Sequence, residues 1–150
     1  MTRILLIILV FATFPCVAQQ PINLNSYYRC WAKLVEGDDA ISFLAPTQAE
    51  CRSGNAVLAY QKFLGSKGSK AIYEISDTLN IRTGCPENCL YITTCEGNSE
   101  SRAYIILIRE DYSNEYFEKV NLAWAYTTNG KLKEVDPSTL KCLNEDFVVD

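Results

Sequence analysis

The side chains in this 150-residue chain that could do chemistry are carboxylates and thiols, because the chain contains no histidine. That absence removes His-based nucleophile activation, His general-base catalysis and His metal ligation together, and with them most common hydrolase and metalloenzyme readings. Carboxylates occur in three close pairs: Asp38 with Asp39, Glu110 with Asp111, and Glu115 with Glu118. Two facing carboxyls are the minimum for glycosidase-type acid/base work. Neighbours along a strand point to opposite faces, so the first two pairs would need a loop to converge. Solvated charges at turns and strand ends are the expected state of all three.

Of seven cysteines, Cys16 falls in the apolar leader described below. The other six, Cys30, Cys51, Cys85, Cys89, Cys95 and Cys142, are an even set, which in an exported chain reads as three disulfides whose connectivity spacing leaves open. The pairing favoured here is Cys30 with Cys51, Cys85 with Cys89 across Pro86-Glu87-Asn88, and Cys95 with Cys142. The last would close a loop of about 46 residues and contribute on the order of 4 kcal/mol in the chain-entropy model. The rival use, a metal site from Cys85, Cys89 and Cys95, lacks both histidine and paired Cys-x2-Cys knuckles, so no metal is expected. The three residues between Cys85 and Cys89 also miss the Cys-x-x-Cys redox spacing.

No cofactor is implied. No Gly-x-Gly-x-x-Gly turn opens a helix, and Gly65-Ser66-Lys67-Gly68-Ser69 lacks the Gly-Lys-Ser/Thr ending of a phosphate loop. Lys62, Lys67 and Lys70 around it read as a solvated turn.

The N-terminus carries Arg3, an unbroken apolar run from Ile4 to Ala12, and a small residue at Ala18. This is the layout of an export signal peptide over residues 1–18, too short to span a bilayer stably. A lipid anchor at Cys16 is the minority alternative, disfavoured by Pro15. The remaining 132 residues form one domain, 19–150, with 13 basic against 18 acidic residues. A net charge of −5 makes nucleic acid and anionic membrane poor partners. No second apolar run is long enough for a membrane span.

The elements that must position these groups follow from periodicity. Tyr27 to Val35 suits a first strand, and Gly37-Asp38-Asp39 a turn. Thr47-Gln48-Ala49-Glu50 fits a capping box, and Ala56, Val57, Tyr60, Phe63 and Leu64 recur at helical spacing before the stop signal Gly65. The sequence therefore predicts a helix across this stretch, weakened at Gly54. Strands are expected through Ala71 to Ile81, Leu90 to Cys95, and Ala103 to Ile108, the last apolar enough to be central. A polar connection from Glu96 to Ser101 joins the latter two. Val120 to Tyr126 alternates and then meets Asn129-Gly130, the preferred two-residue hairpin turn, which would set Tyr126 across from Lys133 and Trp124 across from Val135. The expected class is α+β, disulfide-stabilised, with one N-terminal-half helix packed on an antiparallel meander of four to five strands.

The leader ending in Val-Ala-Gln and the Trp124 to Phe147 stretch, with Asn129-Gly130, Asp136-Pro137 and Lys141-Cys142-Leu143-Asn144-Glu145, resemble small uncharacterised exported proteins of the Bacteroidota. The resemblance covers the leader and roughly the last quarter of the mature chain, and implies a secreted or periplasmic, cell-envelope location without any activity to carry over.

Two aromatic clusters could anchor an interface: Tyr27, Tyr28 and Trp31, and Tyr112, Tyr116 and Phe117. A stapled, acidic, exported domain without a catalytic set fits a non-enzymatic binding domain, most concretely an inhibitor or periplasmic immunity-type protein complementary to a basic protein partner such as a cell-wall lytic enzyme. A small carboxylate-dependent envelope hydrolase and a structural envelope protein are the alternatives.

Overall fold

A computed structural model describes residues 23–97 and 103–147 of the protein. The expected leader over residues 1–18, with Cys16, and residues 98–101 of the polar connection lie outside the described residues. Among the described residues, nine strands form two antiparallel sheets. The first is a meander of β1 (Tyr28–Leu34), β2 (Ala40–Ala45), β3 (Asn55–Lys67) and β4 (Lys70–Arg82). The second contains β5 (Cys89–Glu96), β6 (Ala103–Ile108), β7 (Val120–Tyr126), β8 (Leu132–Val135) and β9 (Lys141–Cys142), in the spatial order β8-β7-β6-β5-β9. The protein is therefore sheet-dominated, which corrects the α+β expectation.

The correction lies in the predicted helix. The Thr47 hydroxyl does accept from the Glu50 N–H at 3.2 Å, and α1 (Gln48–Ser53) begins there, but it runs only six residues. Gly54 ends it in the left-handed region at φ +75°, its N–H donating to the Cys51 carbonyl at 3.1 Å. It is a C-cap and not a weak point inside a longer helix. The residues beyond it form β3. Ala56, Leu58 and Tyr60 face the first core, while Val57, Ala59 and Gln61 are buried on the opposite face. A strand buried on both faces shows no polar alternation, so its apolar positions matched the helical template equally well.

The main core lies between the sheets, with Ile41, Phe43, Leu58 and Tyr60 from one packed against Ile92, Ile105, Leu107 and Trp124 from the other. A second core lies on the far face of the second sheet, where Tyr104, Ile106, Ile108, Ala123 and Ala125 are covered by Phe117 and Cys142. β6 therefore buries alternate residues in two different cores, as a central strand must.

The β7–β8 hairpin forms, but its register differs by one residue from the two-residue turn. Tyr126 pairs with Leu132, Trp124 with Glu134 and Ala123 with Val135. The Gly130 N–H donates to Thr127 O at 2.8 Å and the Thr127 N–H to Lys131 O at 2.9 Å, so the loop has three residues, with Gly130 in the left-handed position at φ +77°. The shift puts Val135 against the second core and not beside Trp124. This loop also joins the two sheets. Ser76 Oγ donates to Gly130 O at 2.8 Å, the Leu132 N–H donates to Asp77 Oδ2 at 2.8 Å, and Lys131 Nζ donates to Ser76 O at 3.2 Å.

Candidate binding surface

Three sulfur pairs stand at disulfide distance: Cys30 with Cys51, Cys85 with Cys89 and Cys95 with Cys142. Each ties down a peripheral element. The first joins β1 to α1, the second closes the turn before β5, and the third links paired positions on β5 and β9. Cys85, Cys89 and a Glu110 oxygen lie within 4.8 Å of one another, so Glu110 and not Cys95 is the third potential donor there. With the two sulfurs bonded to each other, neither offers the thiolate that a metal requires.

Four of the paired carboxylates are engaged in hydrogen bonds with separate partners. Asp39 accepts from Tyr60 Oη at 2.6 Å and from the Phe63 N–H at 2.8 Å. Glu110 accepts from the Tyr112 hydroxyl, and Asp111 from the Ser113 N–H at 2.9 Å. Those Ser113 bonds favour the ionised form and hold the Asp111 carboxyl below its ordinary value. Glu118 accepts from Asn114 at 3.1 Å. Each of these groups shapes its own loop.

The second aromatic cluster divides. Phe117, 8% exposed, belongs to the second core against Tyr91, which corrects its placement at an interface. Tyr116 is half-buried with the Lys141 ammonium 3.7 Å above its ring. Tyr112 alone is largely exposed, on a loop whose shape is set by buried Asn144, which donates to Asp111 O at 2.8 Å and Asn114 O at 2.9 Å. Burial, then hydrogen bonds with Asp146 and Tyr112, raise the Tyr91 phenol well above its ordinary value.

The first cluster is better displayed. Tyr27 is half-buried and lines a cleft with Pro46, Asn80 and Ile81. Tyr28 (46% exposed) and Trp31 (39%) stand on edge strand β1, where the Cys30 bulge and disulfide fix the backbone and Gln48 Nε2 donates to Tyr28 Oη at 3.4 Å. Leu34, not singled out by sequence, is 63% exposed at the end of the same strand. Lys33 points inward and donates to Ile92 O at 3.0 Å, a device that blunts an edge against indiscriminate strand pairing. The Gly/Ser stretch between the lysines does turn, at Gly68–Ser69 between Lys67 and Lys70, but Gly65 and Ser66 belong to β3 and the turn is the tip of a long ribbon. Strand alternation through Ala71, Tyr73 and Ile75 was the available signal.

Comparison with protein-family models, curated proteins and solved structures found no match. Among the described residues, no helix is long and apolar enough to cross a membrane.

Proposed function

We propose that the protein is an exported, secreted or periplasmic, binding domain that acts by complementarity to a protein partner, as an inhibitor or immunity-type protein does. The supporting observation is the exposure of Tyr28 and Trp31 on a strand held by a disulfide and a helix contact. Large aromatics that are already ordered bury much area at small entropic cost, which is the property of interface anchors. Three disulfides suit an oxidising compartment. The chain's net charge of −4 favours a basic partner.

The test is capture of partners by the oxidised mature protein from its own envelope and medium, run beside a Tyr28→Ala/Trp31→Ala variant. One stoichiometric, salt-sensitive partner is expected on the parent protein. Truncating two anchors at about 2 kcal/mol each should weaken it by several hundredfold. No partner, or equal capture by both proteins, refutes the reading.

A further inference from the structure

The ribbon formed by β3 and β4 is longer than the sheet that carries it. The last residue of β2 to pair with β3 is Ala40, opposite Gln61, yet β3 and β4 stay paired through Lys62–Glu74, Phe63–Tyr73 and Gly65–Ile72 to Lys67–Lys70. Residues 62–74 therefore project as a two-stranded arm of roughly 15–20 Å. Asp39 braces its base through the Phe63 N–H, and the Phe63 and Tyr73 rings, 5.6 Å apart, stiffen its shaft.

The arm's chemistry is opposite to that of the body. It carries Lys62, Lys67 and Lys70 against Glu74, a net +2, leaving −6 on the rest of the 150-residue chain. Among the described residues none of the three lysines makes an ion pair. Leu64 is 58% exposed and Ile72 42%, so an apolar patch lies between the Lys62–Glu74 pair at the base and the basic tip.

We infer that this arm is the part of the binding domain that enters its partner, and that the partner is a basic glycoside hydrolase whose cleft holds paired carboxylates. The inference rests on the binding-domain reading above and names the partner class. Lys67 and Lys70 are directly opposed across the ribbon, with backbones about 5 Å apart. Their flexible stems let the two ammonium groups span roughly 5–10 Å, the range that separates the acid and base carboxyls of glycosidases. The apolar patch suits the walls of such a cleft, and the acidic body suits the basic surface around it. A bilayer fits less well, since insertion needs aliphatic residues to lead and lysines to trail, and here the lysines lead.

The experiment uses a basic chicken-type lysozyme as the probe. Its lysis of a cell-wall suspension is followed with the oxidised mature protein, with Lys67→Glu/Lys70→Glu, with Lys67→Ala/Lys70→Ala, and with Tyr28→Ala/Trp31→Ala. Melting temperatures check that each variant folds. The parent protein is expected to inhibit, less so as salt rises. Charge reversal should raise the inhibition constant by about a hundredfold or more and the alanine pair by about tenfold. Equal inhibition by the parent and charge-reversed proteins overturns the arm's role while leaving a binding domain intact. No inhibition by the parent overturns the glycosidase assignment, whatever partner the envelope capture yields. Lysine-dependent binding to phosphatidylglycerol vesicles without inhibition overturns it in favour of a lipid surface.

Discussion

Replacing Gly54 by alanine separates two views of residues 47–65 by the sign of the effect. Inside a continuous helix, Gly→Ala stabilises by about 1 kcal/mol. At the observed site the alanine must hold φ near +75°, and its Cβ would sit 1.9 Å from the Thr83 carbonyl oxygen. The left-handed backbone costs about 1–2 kcal/mol for an L-residue with a Cβ. The contact is with backbone, so relief requires moving the end of β4. That endangers the Thr83 N–H bond to Gly54 O, 2.9 Å long, a further 1 kcal/mol or so.

The sum is a loss of about 2–3 kcal/mol, or roughly 7–11 °C in melting temperature for a domain of this size. Thermal unfolding followed by far-ultraviolet circular dichroism, with disulfides intact, measures it directly. Gly54→Asn divides the loss, because asparagine tolerates the left-handed region yet keeps a Cβ. If asparagine restores most of the stability, backbone conformation dominates; if it melts with the alanine variant, the close approach to Thr83 dominates. A Gly54→Ala protein that melts at or above the parent refutes the cap and the strand that follows it.

Asn144→Ala strips two hydrogen bonds from the carbonyls of Asp111 and Asn114 at a buried position, and should cost about 2–4 kcal/mol by denaturant titration; an unchanged midpoint would show that the 109–119 loop holds itself. Burial and the Asp146 and Tyr112 hydrogen bonds favour protonated Tyr91, so its contribution is present at neutral pH and lost as pH rises through a folded value above the ordinary 10.0. Its phenolate absorbance should appear above the ordinary tyrosine range or with unfolding, together with that of buried Tyr104, whose phenol is also raised by burial, and a Tyr91→Phe protein whose late step keeps its full amplitude would contradict this. Asp136 accepts from the Ser138 N–H and hydroxyl, which favours its ionised form and lowers its value. Its contribution is therefore present above the unfolded carboxyl value and lost as pH falls through the folded one, and its carboxyl resonance should titrate below that of a peptide aspartate. Lys33→Leu removes the inward charge at the β1 edge, and sedimentation at rising concentration should show self-association that the parent lacks.

Local rules succeeded where one residue type settles the backbone. The apolar run Ala103 to Ile108 is a strand with those bounds, Val120 to Tyr126 likewise, and the Thr47 cap starts a helix where the capping box said it would. They failed where two periodicities fit the same residues. Ala56, Val57 and Tyr60 match a helical stripe because β3 is buried on both faces there, and Phe63 and Leu64 extend the match onto the exposed ribbon beyond; the information that breaks the tie, the passage of Thr83 against Gly54, lies almost thirty positions away in sequence. The hairpin register failed for a related reason. Asn129-Gly130 fixes where the chain turns, but Gly130 also serves the approach to Ser76, and a Cβ there would lie 2.6 Å from Ser76 Oγ. Of the surface, the aromatic clusters were visible as composition. Which aromatics stay exposed depends on sheet stacking, which turns Phe117 inward and leaves Tyr28 and Trp31 outside.

Two of the disulfides secure the shortest elements, α1 and β9, and this bears on binding. α1 has no buried residue and β9 has only two residues, so neither is held by a share of either core comparable to that of β2, β3 or β6. Cross-links at Cys51 and Cys142 constrain both elements through the unfolded state, beyond the apolar area that buried Cys142 adds to the second core. The consequence falls on what each element supports. α1 holds the Tyr28 hydroxyl, and the segment after β9 supplies Asn144 to the loop that displays Tyr112. Without the cross-links, those aromatics would have to be ordered at the moment of binding, at about 0.5–1.5 kcal/mol for each immobilised side chain. With them, the ordering is complete before a partner arrives. Reduction under native conditions should therefore weaken binding at the Tyr28–Trp31 surface before it unfolds the two sheets, because the Cys30–Cys51 bond lies at the edge of the first sheet whereas Cys95 and Cys142 are buried in the second core.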